Sequence, residues 1–119
     1  MNSSAAVPLR ISTGGEVIAF YQGGPFFKIE QEEEGVKILA RYSTVPGEPP
    51  AIVEASVGQG KAILSGVHPE TSYKELEHII RTLNNPARAC LIKQLTDLRT
   101  GETGRRKLWR MLLSRCNLS

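Results

Sequence analysis

The sequence predicts one α/β domain in which the strands come first and the helices follow. Two patterns predict this order. Up to residue 65, short apolar runs are separated by turns rich in Gly and Pro, which is typical of strands. After residue 70 the apolar residues recur with the 3.6-residue period of helices. With 119 residues, of which 40% are apolar and 23% charged, the chain can form one modest hydrophobic core.

The first half of the chain predicts three strands and two loops. Residues 1–14 are expected to be flexible because they are rich in Ser and Gly. Residues 16–21 predict a strand, and residues 26–29 are expected to return beside it as a hairpin. Residues 30–35 carry four acidic side chains and predict a solvated loop. A further strand is predicted over residues 36–42.

The clearest local signal is a hairpin in the middle of the chain. Residues 51–57 and 62–64 predict two strands, and Gly58 and Gly60 allow the tight turn between them. The turn is not a phosphate-binding loop, which needs four residues between its glycines and a Ser or Thr after its Lys. Gly66 then lets the backbone bend out of the sheet.

Three helices are predicted after this hairpin. Ser72 can cap the first helix, with Glu75 at capping-box distance, and an Asn-Asn-Pro sequence ends it. The second is predicted over residues 87–98 and the third over 105–115, with a break over 100–104. Strands followed by helices fit either a small α+β domain or the carboxyl-terminal piece of a larger α/β domain. The apolar stripes of the three helices contain Leu76, Ile79, Ile80 and Leu83; Cys90, Leu91, Leu95 and Leu98; and Leu108, Met111 and Leu112 with Trp109.

The charge is distributed unevenly. Residues 1–80 carry six Lys/Arg and ten Asp/Glu, a net −4, whereas residues 81–119 carry nine and two, a net +7. The basic residues stand among apolar ones, which favours a solvated helix face, and no motif of a nucleic-acid-reading module accompanies them. No apolar run is long enough to span a bilayer, and we expect no membrane association. Cys90 and Cys116 match no zinc spacing and are interpreted as reduced thiols of a cytoplasmic protein.

The candidate functional residues are His68 and Glu70. They follow a predicted strand, and open α/β sheets usually bind ligands at the carboxyl ends of their strands. In a nucleophile–His–acid triad the His takes the nucleophile's proton and the acid orients the imidazole. The second interpretation is structural: His68 would form a hydrogen bond at the strand end, and Glu70 would favour the start of a helix.

Other polar residues are expected to lie at the surface. His78 lies beside Glu77 on the polar side of the first predicted helix, and Gln59 and Lys61 lie at the tip of the hairpin. The acidic residues between positions 30 and 34 lack the alternating spacing of a calcium loop, so no metal site is predicted.

Several segments resemble the amino-terminal domain of eukaryotic biotin–protein ligases, which is similar to class I glutamine amidotransferases. The most specific segment is residues 57–70 (VGQGKAILSGVHPE). The similarity covers roughly residues 15–83. Further similar segments are residues 21–26 (YQGGPF), 39–42 (LARY), 51–53 (AIV) and, more weakly, 105–109 (RRKLW).

The resemblance implies a partial amidotransferase-like (flavodoxin-like) α/β sheet followed by carboxyl-terminal helices. The chain then divides into a flexible segment (1–14), a partial domain (15–83) and basic helices (84–119). His68 and Glu70 correspond to the His and the acid of the triad. The cysteine elbow that precedes them in this fold has no counterpart before His68, so the chain is expected to be the last part of such a domain.

The resemblance also implies the partners. The Gly-Arg-Gly loop and the catalytic Lys of the biotin- and ATP-binding module have no counterpart here, so we expect no cofactor and no biotin transfer by this chain alone. The favoured function is an accessory role in protein biotinylation, with a biotin-ligase catalytic domain or another protein as partner. The alternatives are half of a glutamine amidotransferase completed by a cysteine-containing segment, and a small basic binding module. Uncovered strand edges predict self-association.

Overall fold

The computed structural model describes residues 4–22, 27, 32, 34–82 and 87–116. Within these residues the predicted α/β class, a sheet followed by carboxyl-terminal helices, is confirmed. The strands are β1 (Ser4–Ile11), β2 (Glu16–Gln22), β3 (Val36–Tyr42), β4 (Pro50–Val57) and β5 (Gly60–Ser65). The helices are α1 (Tyr73–Thr82), α2 (Ala87–Thr100) and α3 (Glu102–Arg115).

The strands form one curled sheet in the order β2-β1-β3-β4-β5, and every described pairing is antiparallel. The chain beyond β5 returns to the opposite edge of the sheet, where His68 forms a bridge with Phe20 of β2. The curl therefore brings the residues that follow the last strand beside the second strand.

The expectation that residues 1–14 are flexible is wrong for residues 4–11, which form β1. Val7, Leu9 and Ile11 alternate along this strand and are buried, so their period-two pattern places one apolar face against the core. Pro8, which lacks an N–H group, is tolerated because the ladder with β3 begins at Leu9. Its carbonyl accepts hydrogen bonds from the backbone and the hydroxyl of Ser43.

The return strand predicted beside residues 16–21 lies almost entirely outside the described residues. β2 pairs with β1 over the register Ser4↔Gln22 to Arg10↔Glu16. Of the expected return strand over residues 26–29, only Phe27 is among the described residues, and it lies in no strand. β1 and β2 pair because only four residues join them and because their apolar positions align on both faces.

The predicted hairpin in the middle of the chain is confirmed. β4 and β5 pair from Ile52↔Ser65 to Val57↔Gly60, which leaves a two-residue turn at Gly58 and Gln59. Gly58 has a φ of +59°, a backbone conformation that glycine adopts at little cost.

All three predicted helices are present, but some of their first and last residues differ from the predicted ones. α1 begins after Ser72, whose hydroxyl accepts a hydrogen bond from the backbone N–H of Glu75 at 3.3 Å. The predicted cap is therefore confirmed. α2 extends to Thr100 and α3 begins at Glu102, so the predicted break over residues 100–104 shrinks to one residue, Gly101.

The two faces of the β1–β2 hairpin are covered by different helices. On one face, Leu9 and Tyr21 share the main core with Leu108 and Leu112 of α3. On the other face, Phe20 packs with Leu76 of α1 and Leu98 of α2. Of the predicted helical stripes, the side chains of Ile79, Ile80, Leu83, Cys90 and Leu91 lie outside the described residues.

Candidate functional site

The short segment that leads from β5 to His68 is hydrogen-bonded to two strands, β4 and β2. After β5, the hydroxyl of Ser65 hydrogen-bonds the backbone of Val67, and Gly66 N–H donates to the carbonyl of Ala51 on β4. The His68 N–H then donates to the carbonyl of Phe20 on β2 at 2.7 Å. Because Val67 between these anchors is buried, the backbone that carries His68 is held by the core.

The structure brings the two predicted site residues together. His68 Nδ1 lies 3.1 Å from Glu70 Oε2, and both side chains are about half exposed, at 46% and 48%. A carboxylate in this position accepts a hydrogen bond from Nδ1–H and leaves Nε2 as the other ring nitrogen for a ligand or a proton. The pair therefore has the local geometry in which an acid orients an imidazole.

Arg105 is a site residue that the sequence analysis did not single out. Its guanidinium is buried, and Nη1 donates to the carbonyl of Pro69, between His68 and Glu70, at 2.8 Å. Nε and Nη2 donate to the two carboxylate oxygens of Glu102 at 2.9 and 2.6 Å. The hydrogen bonds from Arg105 hold the pKa of Glu102 below its ordinary value. No sequence signal links Arg105 to Pro69; only the i, i+3 spacing to Glu102 indicates an ion pair.

A groove of about 250 Å³ lies beside the His68–Glu70 pair. It is formed between α3 and the stretch of chain that includes β5 and the residues after it. Glu70 borders the groove at one side, and Cys116, which follows α3, borders it as well. Cys116 is a free cysteine, and no described hydrogen bond joins its thiol to His68. The walls are mainly apolar and include Ile63, Val67, Trp109, Leu112 and Leu113.

The remaining candidates lie where surface residues were predicted. His78 on α1 is exposed, as are Gln59 and Lys61 at the hairpin. Cys90 belongs to α2, but its side chain lies outside the described residues.

The basic residues of the helices are more often paired than their sequence indicates. Arg99 lies 3.3 Å from Glu77 and over the ring of Tyr73. Arg106 pairs with Glu102 at 2.9 Å. These contacts neutralise part of the positive charge of residues 81–119.

The described residues contain no group of three or more His, Cys, Asp or Glu side chains arranged to hold a metal ion. None of the described helices has the length and apolar character needed to cross a membrane.

The fold and the site define a mixed α/β domain with a His–Glu pair beyond the last strand of its sheet. Comparison with known families assigns it further. The family described as "Biotin-protein ligase, N terminal" matches residues 2–119, and the chain belongs to this family. The resemblance noted in the sequence is thereby confirmed.

One curated relative is an uncharacterized protein of Chlamydia muridarum (strain MoPn / Nigg). It is 36% identical over 56 residues, which are 47% of this chain and 22% of the relative. The matched part thus spans about a fifth of that protein's length. No solved structure matches the chain significantly.

Proposed function

We propose that this domain serves protein biotinylation as a non-catalytic accessory domain. It would bind a biotin-ligase catalytic module through the groove between β5 and α3, which Glu70 of the His68–Glu70 pair borders. Membership of the biotin-protein ligase N-terminal family supports the choice of process and partner. The observation that carries the proposal is the groove itself, apolar on its walls and bordered by a half-exposed carboxylate.

The composition of the groove favours a protein ligand. Trp109, Leu113 and Ile63 are only partly buried although they are large and apolar, so a partner that covered them would remove apolar surface from water. Protein interfaces commonly combine such a centre with a polar rim. Here Glu70 borders the groove, and its carboxylate, which contacts His68, can pair with a cation or accept a hydrogen bond from the partner.

Binding to the catalytic module of the same organism's biotin ligase tests the proposal. The wild-type chain is expected to bind, and Leu113→Glu, which places a charge on the wall of the groove, is expected to weaken binding by about tenfold or more. Ser114→Glu is the matched control, because Ser114 is the next residue on α3, is exposed, and does not line the groove.

The rate of biotin transfer to an acceptor protein is measured in the same mixtures. It is expected to change when the wild-type chain or Ser114→Glu is added and to stay at its basal value with Leu113→Glu. If the wild-type chain does not bind the catalytic module, or if both variants lose binding equally, the proposal is wrong.

The contact between His68 Nδ1 and Glu70 favours a second candidate function. An imidazole oriented by a carboxylate could take the proton of a cysteine thiol and pass it to the ammonia that leaves glutamine. The cysteine would come from a segment or chain that completes the domain. The test is ammonia release from glutamine by the completed domain, with His68→Ala as the control. Absence of release, or release that survives His68→Ala, excludes this function.

A further inference from the structure

We infer that Arg105 is the positioning residue of the His68–Glu70 pair, an inference that rests on the proposed role of that pair at the binding groove. Arg105 belongs to α3, whereas the pair belongs to the segment between β5 and α1. The last helix would thus determine how the pair is presented beside the groove, although it contributes neither member of the pair.

Arg105 contacts the backbone of the residue between the two members of the pair. Pro69 lies between His68 and Glu70 and is buried. Its ring fixes φ, so ψ is the main remaining backbone freedom at this position. The ψ angle of Pro69 sets the direction of its carbonyl and, through the following peptide plane, the direction in which Glu70 leaves the turn. The 2.8 Å hydrogen bond from Arg105 Nη1 fixes that carbonyl.

Arg105 is itself held rigidly enough to act in this way. Its side chain is 7% exposed, and both carboxylate oxygens of Glu102 accept hydrogen bonds from it. Glu102 lies one turn earlier on the same helix, so Arg105 and Glu102 move together with α3. A buried guanidinium with three described hydrogen bonds to two partners has little freedom to release Pro69.

The remaining anchors of the segment do not fix the peptide between Pro69 and Glu70. The His68 N–H is bonded to Phe20, which holds His68. The His68 carbonyl accepts from Thr71 N–H at 3.2 Å, which closes a turn around Pro69 and Glu70 but leaves the orientation of the peptide between them to the Arg105 contact. Loss of the Arg105 contact is therefore expected to leave His68 in place and to free Glu70, which lengthens the contact between Nδ1 and Oε2.

The tautomer of His68 reports this change without any assay of activity. Long-range ¹H–¹⁵N NMR at about pH 9 distinguishes Nδ1–H from Nε2–H. In the wild-type chain the Glu70 carboxylate is expected to favour Nδ1–H on His68. His78, which is exposed on α1, supplies the reference ratio of an unconstrained histidine in the same sample.

Arg105→Gln is expected to shift the tautomer ratio of His68 to the ratio of His78, as Glu70→Gln does by removing the acceptor. Arg106→Gln is the matched control: it also loses a contact to Glu102, at 2.9 Å, but Arg106 is exposed and does not contact Pro69. This control is expected to keep the wild-type ratio.

A folded Arg105→Gln variant that keeps the wild-type ratio overturns the inference, and Arg105 is then only a stabilising residue. If Arg105→Gln does not fold, Glu102→Gln takes its place, because it keeps the guanidinium but removes the carboxylate charge that holds it. A ratio shifted toward that of His78 supports the inference, and an unchanged ratio overturns it. Since no partner is present in these samples, failure of the proposed function in the binding assay would leave this result unaffected, and the two outcomes are distinguishable.

Discussion

At the scale of single residues, a charged pair joins the last helix to the sheet. Arg115, at the end of α3, donates two hydrogen bonds to the carboxylate of Glu54 on β4, at 2.7 and 3.0 Å. Glu54 is buried, and these bonds hold its pKa below the ordinary value. A buried carboxylate on a sheet face is costly unless it is paired in this way.

Replacing Glu54 by Gln is expected to lower the free energy of unfolding by about 2 kcal/mol, the usual size of a hydrogen bond to a charged group. Urea unfolding measures the change. Arg81→Ala removes the exposed pair between Arg81 and Glu77 and is expected to cost about 0.5 kcal/mol or less. Equal losses in the two variants would contradict the argument that burial makes the Glu54 contact stronger.

The same contacts predict how stability depends on pH. The carboxyls of Glu54 and Glu102 have lower pKa values in the folded chain than in the unfolded chain, where 4.5 is the ordinary value. Their contribution is therefore complete above about pH 5 and is lost as the pH falls through the folded-state values. Urea unfolding at a series of pH values should show the loss, and Glu54→Gln should reduce it. An acid dependence that is identical in the variant would exclude Glu54 as a source.

At the scale of elements, the start of α3 lies on β2 at a distance that Gly101 allows. A Cβ at Gly101 would lie 2.9 Å from the Cβ of Ile18, closer than such atoms approach. A Cβ at Gly104 would lie 3.5 Å from Val17 Cγ2, an ordinary contact. Gly104 also lies inside α3, where glycine is a poor helix former.

Alanine substitutions at these two positions are expected to have opposite effects. Gly101→Ala should destabilise the chain by about 1–3 kcal/mol, because α3 must move away from β2. Gly104→Ala should stabilise it by up to about 1 kcal/mol through helix propensity. Thermal and urea unfolding of both variants measure this. A Gly101→Ala variant as stable as the wild-type chain would mean that close packing on β2 does not set the position of α3.

Most of the strands and helices could be predicted from the sequence, but β1 could not. β3, β4, β5 and the helices follow from local apolar periods and from a cap such as Ser72. β1 was missed because Ser-rich flanks and Pro8 argue locally against a strand. Its stability comes from pairing with both β2 and β3, which no local pattern expresses.

At the scale of the whole molecule, β5 forms an edge of the sheet. β5 pairs only with β4 among the described strands. Leu64 on β5 is 49% exposed, and Val57 at the end of β4 is 64% exposed. An edge strand with exposed apolar side chains is a template for pairing with another chain.

Self-association of the isolated chain is therefore expected to increase with concentration in sedimentation velocity. Leu64→Lys should reduce it, because it replaces an apolar side chain of the edge strand with a charge. Gln59→Lys adds the same charge at the exposed turn and is expected to have little effect. A wild-type chain that stays monomeric at all concentrations, with a thermal transition independent of concentration, would contradict this prediction.

The sequence by itself determined the types of most elements, the β4–β5 turn, the cap of α1 and the short spacing that puts His68 and Glu70 in contact. All of these depend on residues close together in the chain, where backbone conformation and apolar period act directly. Family membership likewise follows from the sequence.

Only the tertiary structure decided the order of the strands and the contacts that hold the site. The curl of the sheet brings Phe20 to His68, and the packing of α3 brings Arg105 to Pro69, 36 residues away, and Arg115 to Glu54, 61 residues away. A basic residue on a helix has the same local pattern whether it faces water or a distant carbonyl. Its partner is selected by how the apolar faces of separate elements pack together, and that choice depends on the whole chain.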